Sequence, residues 1–225
     1  MPLRLRPAVE DDSLRIGELA AAAFHSSLSQ DIFPPRLHHK SETGDPFQDE
    51  VQWRSRRNIR RMREGKPTFV VVDVPENGDG TEEVLGYAQW DPPTKASPEA
   101  APTEADQDPA PGSLDEEALR EMWRVIDDET KKALGPDGHS KMWYLMMIAV
   151  DPKHHRRGVG RMLVQYGLDQ AVKDGVDVYL IASPAGRLLY RSLGFEEMTE
   201  PISLGTTPHY SMIWRNPSKP LNTLP

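Results

Sequence analysis

One stretch of this chain constrains its fold more than any other: an apolar strand that leads through a basic turn into a glycine-rich helix start. Residues 143–150 (WYLMMIAV) form a continuous apolar run of strand length, which is typical of a central strand covered on both faces. Asp151-Pro152 ends the run, and a turn rich in Lys, His and Arg leads to Gly158-Val159-Gly160. A helix is predicted from these glycines to about Lys173, with its apolar side chains facing inward.

The remaining elements follow from apolar periodicity and from turn and cap signals. Strands are predicted over residues 3–9, 68–74, 83–91, 176–182, about 196–204 and about 208–215, and helices over residues 13–24, about 47–64, 114–134 and 184–193. Residues 25–46 are expected to form a long loop. Residues 92–113 carry no large apolar side chain, so they cannot recover their ordering entropy by burial and are predicted to be flexible. Ser113 and Glu116 form a capping-box pattern for the next helix.

Composition excludes several classes of function. The 225 residues carry a formal net charge of -8, which argues against nucleic-acid binding because a basic surface supplies most of that affinity. The chain has no cysteine, which excludes disulfides and cysteine zinc sites, and its adjacent histidine pairs lack the spacing of a helical metal site. No apolar run reaches about 18 residues. We therefore expect no metal site and no membrane span. The protein is expected to be a monomer or homodimer in the cytoplasm, with the nucleus as the alternative compartment.

The glycines at 158 and 160 predict an anion-binding site. A helix N-terminus offers unpaired N–H groups and partial positive charge, and glycine lets a phosphate approach the backbone closely. Three nearby arginines add full positive charges: Arg156, Arg157 and Arg161. Residues 155–161 are therefore a candidate pyrophosphate cradle. Two nucleotide-binding folds fit poorly, because Leu163 stands where G-x-G-x-x-G needs a third glycine and no P-loop motif is present. The alternative is that the glycines only ease a tight strand-to-helix turn.

A second motif lies downstream, and the two together resemble those of the GNAT superfamily of N-acetyltransferases. The family pattern Gln/Arg-x-x-Gly-x-Gly/Ala follows a strand that ends in apolar-Val-Asp-Pro, and residues 148–160 read IAVDPKHHRRGVG. Residues 183–195 (SPAGRLLYRSLGF) match the Tyr, Gly and Phe of the family's later pattern N-x-x-A-x-x-x-Y-x-x-x-G-F. His155, Ser183 and Gly186 depart from the residues that are usual in the family.

The resemblance implies an α/β (α+β) fold with a mixed, mostly antiparallel sheet of six or seven strands flanked by helices. Residues 1–225 would form one N-acetyltransferase domain, with a flexible insertion at 92–113 and an inserted helix at 114–134. Acetyl-CoA would be the co-substrate, and an amine would attack its thioester directly. The residues implied to bind it are Ile148, Ala149, Val150, His155, Arg156, Arg157, Gly158, Val159, Gly160, Arg161, Ser183 and Tyr190.

Tyr190 is the general acid that the resemblance implies. A tyrosine has an ordinary pKa of about 10 and is protonated at neutral pH, so it can donate a proton to the departing thiolate. The alternative is a core aromatic residue with a satisfied hydroxyl. The general base stays open, because residues 143–150 contain no carboxylate. Asp91, at the end of a neighbouring strand, is a weak candidate that we do not assign.

The acceptor also stays open. The resemblance implies a small-molecule amine or a lysine-bearing peptide, and the net negative charge favours cationic substrates. Three alternatives are compatible with the same motifs: a non-catalytic acyl-CoA-binding regulatory module, a transferase of longer acyl groups, and a protein or histone acetyltransferase.

Overall fold

The apolar strand at residues 143–150 lies in the middle of an eight-stranded sheet. The computed structural model describes residues 2–25, 27–74, 82–94 and 109–219. Its strands are Leu3–Pro7 (β1), Thr68–Asp73 (β2), Glu83–Asp91 (β3), Trp143–Val150 (β4), Val178–Ala182 (β5), Glu196–Glu197 (β6), Ile202–Leu204 (β7) and Thr207–Trp214 (β8). The sheet order is β1-β2-β3-β4-β5-β8-β6, with β7 paired to β8. The β4–β5 pair is parallel and the other pairs are antiparallel, so the predicted mixed, mostly antiparallel sheet is confirmed.

The sheet has more strands than the six or seven that were expected, because the strand predicted at about 196–204 is split. Residues of β6 pair with the end of β8, whereas β7 pairs with its beginning. Between them, the Thr199 hydroxyl donates a hydrogen bond to the Glu129 carboxylate. Pro201, directly before β7, has no N–H to offer a ladder. The chain therefore leaves the strand pairing between these two segments.

Six α-helices flank the sheet in the described ranges: Ser13–Phe24 (α1), Leu28–Ile32 (α2), Pro46–Arg63 (α3), Glu116–Leu134 (α4), Val159–Asp174 (α5) and Pro184–Ser192 (α6). The prediction of a long loop at 25–46 was wrong, because this segment contains α2 and a 3₁₀ turn. Ile32 and Phe33 are buried against Trp53 of α3, a distant contact that local sequence does not reveal. None of these helices is long and apolar enough to span a bilayer.

The helices cover the two faces of the sheet separately. Leu163 and Leu168 of α5 belong to a core on one face, together with Trp90 of β3. Ile16 and Leu19 of α1 belong to a second core on the other face, and α3 packs along α1. Gly167 sits on the Trp90 indole so closely that an added Cβ would lie 2.2 Å from Cη2.

Helix α4 begins two residues after its predicted start at residue 114. Asp115 caps it by accepting a hydrogen bond from the Ala118 N–H at 3.1 Å. The Ser113 hydroxyl, predicted to cap this helix, instead donates to Asp49 Oδ2 at 2.6 Å, and a hydrogen bond to an ionised carboxylate is stronger than one between neutral groups. Ser113 is fully buried. The end of the predicted flexible insertion is therefore packed, and residues 95–108 lie outside the described residues.

Asp49 is a buried carboxylate that organises this contact at the start of α3. The Thr43 hydroxyl and backbone N–H donate to Asp49 Oδ1 at 2.7 and 3.0 Å. Burial acts to raise the pKa of Asp49, but the hydrogen bonds from Ser113 and Thr43 outweigh burial and lower its pKa to about 2. Asp49 therefore joins the turn before α3 to the segment before α4 as an ionised group.

We expect Asp49 to stabilise the fold at neutral pH and to lose this effect in acid. Its folded pKa is below the ordinary value, so a contribution of about 2 kcal/mol is present above about pH 4 and is lost as the pH falls toward about 2. In urea titrations, Asp49→Asn should lower the free energy of unfolding at pH 6 and flatten its slope in acid. Asp45→Asn, an exposed substitution in the same turn, is the control. An unchanged acid slope in Asp49→Asn would contradict this role.

Candidate functional site

Strands β4 and β5 are paired over only part of their length. Trp143, Tyr144 and Leu145 pair in parallel with residues 178–180 of β5. Beyond Leu145, the described part of β4 pairs only with β3, and the described part of β5 beyond Leu180 pairs only with β8. The two neighbouring strands therefore diverge, and a gap opens in the sheet beside residues 146–150.

The ladder with β3 determines which backbone groups face this gap. The Asp151 N–H donates to the Leu85 carbonyl at 2.8 Å, and in an antiparallel pair such bonded positions alternate. Ala149 is therefore bonded to β3, whereas Ile148 and Val150 present their N–H and C=O groups to the gap. His155 Nε2 lies 3.2 Å from the Val150 carbonyl oxygen. Of the three predicted strand residues, Ile148 and Val150 reach the gap through their backbone, and Ala149 does not.

Helix α5 begins next to the gap. Gly158 is its N-cap, with a positive φ of 89°, a conformation that glycine adopts without steric cost. Because Val159 is the first helical residue, the N–H groups of Val159, Gly160 and Arg161 have no partner one turn earlier in the helix. A Cβ at Gly160 would lie 3.0 Å from Leu189 Cδ2 of α6. The two predicted glycines thus have separate roles: Gly158 forms the turn, and Gly160 allows α6 to approach.

The three predicted arginines of the turn are placed differently. Arg156 and Arg161 are exposed, and Arg161 Nη2 donates to Ser192 Oγ at 3.1 Å. Arg157 Nη2 instead donates to Asp73 Oδ2 of β2 at 2.9 Å. The charge of Arg157 is therefore balanced by Asp73, although its side chain is exposed like those of Arg156 and Arg161.

Ser183 and Tyr190 lie at the two ends of α6. Ser183 Oγ accepts a hydrogen bond from the Gly186 N–H at 3.3 Å, so this hydroxyl caps α6. Tyr190 is 4% exposed, and its ring packs edge-on against Phe195 with centroids 5.7 Å apart. Burial raises the pKa of Tyr190 well above its ordinary value, so its hydroxyl is protonated at neutral pH. Gly186 makes room for the ring, because a Cβ there would lie 2.8 Å from Tyr190 Cε2.

A cavity of about 260 Å³ lies on the opposite face of the sheet from α5. Its floor is formed by Tyr87 and Gln89 of β3 and by Met146 and Met147 of β4. The β3–β4 register shifts between Gln89 and Trp90, which leaves Met146 as an extra residue and directs it and Met147 to the same face. The cavity and the gap between β4 and β5 therefore meet at the same stretch of β4.

Three helical segments build the walls of this cavity. The α1–α2 segment contributes Phe24, Leu28 and Ile32, α4 contributes Leu119, Met122 and Trp123, and α3 contributes Trp53, Arg54, Arg57, Asn58, Arg60, Arg61 and Glu64. This polar wall was not predicted from the sequence. The sequence feature that could have indicated this wall is the three- and four-residue spacing of Arg54, Arg57 and Arg61. This spacing places the three side chains on one face of α3.

Asp91 is unsuited to act as a general base. Its Oδ1 is 3.0 Å from Arg61 Nη2 and 3.2 Å from Lys66 Nζ. Burial acts to raise the pKa of Asp91, but the positive charges of Arg61 and Lys66 outweigh burial and lower it. Asp91 is thus a paired, weakly basic carboxylate, and it does not line the cavity.

These motifs belong to a known family. Residues 32–195 match the model of the acetyltransferase (GNAT) family, which is more than half of the chain, and the protein is a member of this family. A relative from Stachybotrys chartarum, named an acetyltransferase, is 31% identical over 148 residues that cover 64% of this chain and 62% of the relative. The chain therefore spans less than two thirds of that relative's length.

Solved structures of other proteins share the fold. The structure of histone acetyltransferase HPA2 and related acetyltransferase from Corynebacterium glutamicum matches with a TM-score of 0.57 and 19% identity, covering 96% of this chain and 97% of that chain. The structure of yncA from Salmonella typhimurium with its cofactor acetyl-CoA matches with a TM-score of 0.53 and 18% identity, covering 98% and 97%. At these identities the likeness establishes the fold, which agrees with the expected GNAT architecture.

We expect Gly186→Ala to destabilise the protein through Tyr190. The added methyl group would overlap the tyrosine ring, and overpacking of this kind costs about 1–3 kcal/mol. Urea unfolding of Gly186→Ala, Tyr190→Leu and the double variant measures the coupling between the two positions. The loss caused by Gly186→Ala should shrink in the Tyr190→Leu background. Additive losses would show that the ring does not depend on the missing Cβ.

Proposed function

We propose that this protein is an N-acetyltransferase that transfers an acetyl group from acetyl-CoA to a primary amine by direct attack. The proposal rests on one observation. The gap between β4 and β5, the glycine-capped start of α5 and the cavity all adjoin the same stretch of β4. Family membership supports acetyl transfer as the activity, and the solved yncA structure with acetyl-CoA supports the choice of co-substrate.

Two sets of backbone groups are suited to hold the co-substrate. The N–H groups of residues 158–161, aided by Arg156 and Arg161, can bind its diphosphate at the start of α5. Ile148 and Val150 can bind the pantetheine arm by adding it as a short strand in the gap. His155 contacts the Val150 carbonyl, so its ring would rearrange or share this carbonyl when the arm binds.

Tyr190 is proposed as the general acid. The amine nitrogen attacks the thioester carbonyl carbon, the C–S bond breaks, and the sulfur takes the tyrosine proton. The new amide nitrogen loses its extra proton to water, and the tyrosinate recovers a proton from water. The Tyr190 ring belongs to the same apolar cluster as the side chains of Ile148 and Val150, which places it on the α5 side of the strand that would bind the arm. Its raised pKa keeps the hydroxyl protonated across the neutral pH range.

We propose that residues 92–134 are an insertion in a single acetyltransferase domain and that the helix α4 within it shapes the acceptor site. β3 and β4 are antiparallel neighbours that a short hairpin could connect, yet α4 lies between them in the sequence. Leu119, Met122 and Trp123 of α4 form one wall of the cavity. The insertion therefore supplies contacts that the sheet alone does not provide.

Replacing both Gly158 and Gly160 with alanine should weaken coenzyme A binding at least tenfold. Gly158 has a positive φ that alanine adopts only with strain, and a Cβ at Gly160 would press on Leu189 of α6 at 3.0 Å. Both changes therefore distort the helix start at which a diphosphate would bind. Isothermal titration calorimetry with coenzyme A measures the change. Gly175→Ala is the matched control, because Gly175 has a φ of 67° at the other end of α5 with open space around it. Equal binding by the double variant and the control would refute the cradle.

Tyr190→Phe should lower kcat by about 10²-fold or more, which is the usual range for loss of a general acid, and should leave the Kd for coenzyme A nearly unchanged. Thiol release from acetyl-CoA across a panel of amines measures kcat, and calorimetry measures Kd. Unchanged turnover would reject the general-acid role. Binding of acetyl-CoA with no thiol release for any amine would instead favour a non-catalytic acyl-CoA-binding module.

A further inference from the structure

We infer that the acceptor of this enzyme is a small amine that also bears a carboxylate and an apolar side group, as an apolar amino acid does. The inference rests on the proposed acetyl transfer and concerns which amine the cavity selects. It departs from the expectation that the net charge of -8 would favour cationic substrates, because the charge inside the cavity differs in sign from the charge of the whole chain.

The charged groups that line the cavity are predominantly positive. Among the described lining residues, Glu64 is the one carboxylate, and four are arginines: Arg54, Arg57, Arg60 and Arg61. Arg54 is paired with the buried Glu50 at 2.7 Å, and Arg61 is paired with Asp91. Both carboxylates lie behind the wall rather than in it. A substrate in the cavity therefore meets guanidinium groups first, and these disfavour a polyamine or a lysine-rich tail.

Two buried hydrogen-bond donors in this wall have no acceptor in the described part of the protein. They are Asn58 Nδ2 and Arg61 Nε, on residues three positions apart that share one face of α3. The Asn58 residue is 6% exposed, and its Oδ1 accepts from Gln89 Nε2 at 2.8 Å, which leaves its amide nitrogen as the donor. Buried polar groups are nearly always paired with protein, water or ligand atoms, and we place the carboxylate oxygens of the acceptor at these two donors.

The remaining walls define the rest of the ligand. Phe24, Trp53, Leu119, Met122 and Trp123 line the cavity with apolar surface, which suits an aliphatic or aromatic side group. The volume of about 260 Å³ is slightly below the usual range of ligand pockets, which begins at about 300 Å³, and suits a single small molecule. Met146 and Met147 close the floor beside the gap, where the amine must meet the thioester. A ligand that places its carboxylate at α3 and its amine at β4 would be one compact molecule that carries both groups.

The test compares pairs of amines that differ only in the carboxylate. Thiol release from acetyl-CoA is measured with phenylalanine against 2-phenylethylamine and leucine against 3-methylbutylamine, with spermidine as the polycation. We expect kcat/KM for the carboxylate-bearing member of at least one pair to exceed that of its partner tenfold or more. Equal or faster reaction of the decarboxylated amines or of spermidine would overturn the inference and leave the proposed acetyl transfer intact.

Variants of α3 locate the recognition. Arg61→Gln and Asn58→Asp should each reduce the carboxylate preference at least tenfold, because one removes a donor and the other places a negative charge on the same wall. Arg63→Gln is the control, since Arg63 lies on α3 in an exposed ion pair with Glu10 and does not line the cavity. Calorimetric binding of coenzyme A verifies that each variant is folded. Retention of the full preference by both cavity variants would overturn the assignment of these donors.

A binding measurement separates failure of this inference from failure of the proposed function. Calorimetry of phenylalanine and leucine is performed on the protein saturated with coenzyme A. Binding of a carboxylate-bearing amine that is weakened by Arg61→Gln but not by Arg63→Gln would support the inference even if no thiol is released. If neither amino acid binds and neither reacts, while coenzyme A binds normally, the cavity does not recognise this class and the inference is wrong.

Discussion

The structure depends on the parting of β4 from β5 after Leu145. Backbone N–H and C=O groups need hydrogen-bond partners, and in most sheets the neighbouring strand supplies them. Here β5 continues with β8 while β4 continues with β3, so Ile148 and Val150 face an opening instead of a strand. The unsatisfied edge is stable because it is bordered by α5 and α6, which pack from one face and hold β4 in place through the apolar cluster around Leu163 and Tyr190. The sheet thus remains cohesive while it leaves one row of backbone groups for a ligand.

The irregularity at Met146 connects this opening to the other face of the sheet. An extra residue in β4 turns Met146 and Met147 to the same side, where they form the floor of the cavity under α3 and α4. Under the proposed function, co-substrate and acceptor can therefore reach one point of β4 from opposite faces of the sheet.

The charged residues are also arranged differently on the two faces of the sheet. Exposed arginines flank the start of α5, whereas Arg54 and Arg61 of α3 are held by carboxylates placed behind the cavity wall.

The sequence predicted the β4–α5 unit and α6 well because their signals are local. A continuous apolar run, glycines at positions that require positive φ or close approach, and the Ser183-Pro184 cap each act within a few residues. The cavity was missed because five separate segments assemble it, and the position of each depends on contacts distant in sequence. The same reason explains α2, which forms on the buried contact of Ile32 and Phe33 with Trp53, and Arg157, whose partner Asp73 is on another strand. Eight strands instead of six or seven reflect the break around Thr199 and Pro201.

The placement of α4 has a consequence for how such a protein changes over time. This helix belongs to the connection between β3 and β4, and Leu119, Met122 and Trp123 on it line the cavity. Its side chains can therefore be exchanged, or the whole connection lengthened, while the groups that would hold the acyl donor stay as they are. Under the proposed function, donor binding and acceptor choice depend on different segments of the chain, so substitutions in α4 can alter the second while leaving the first intact.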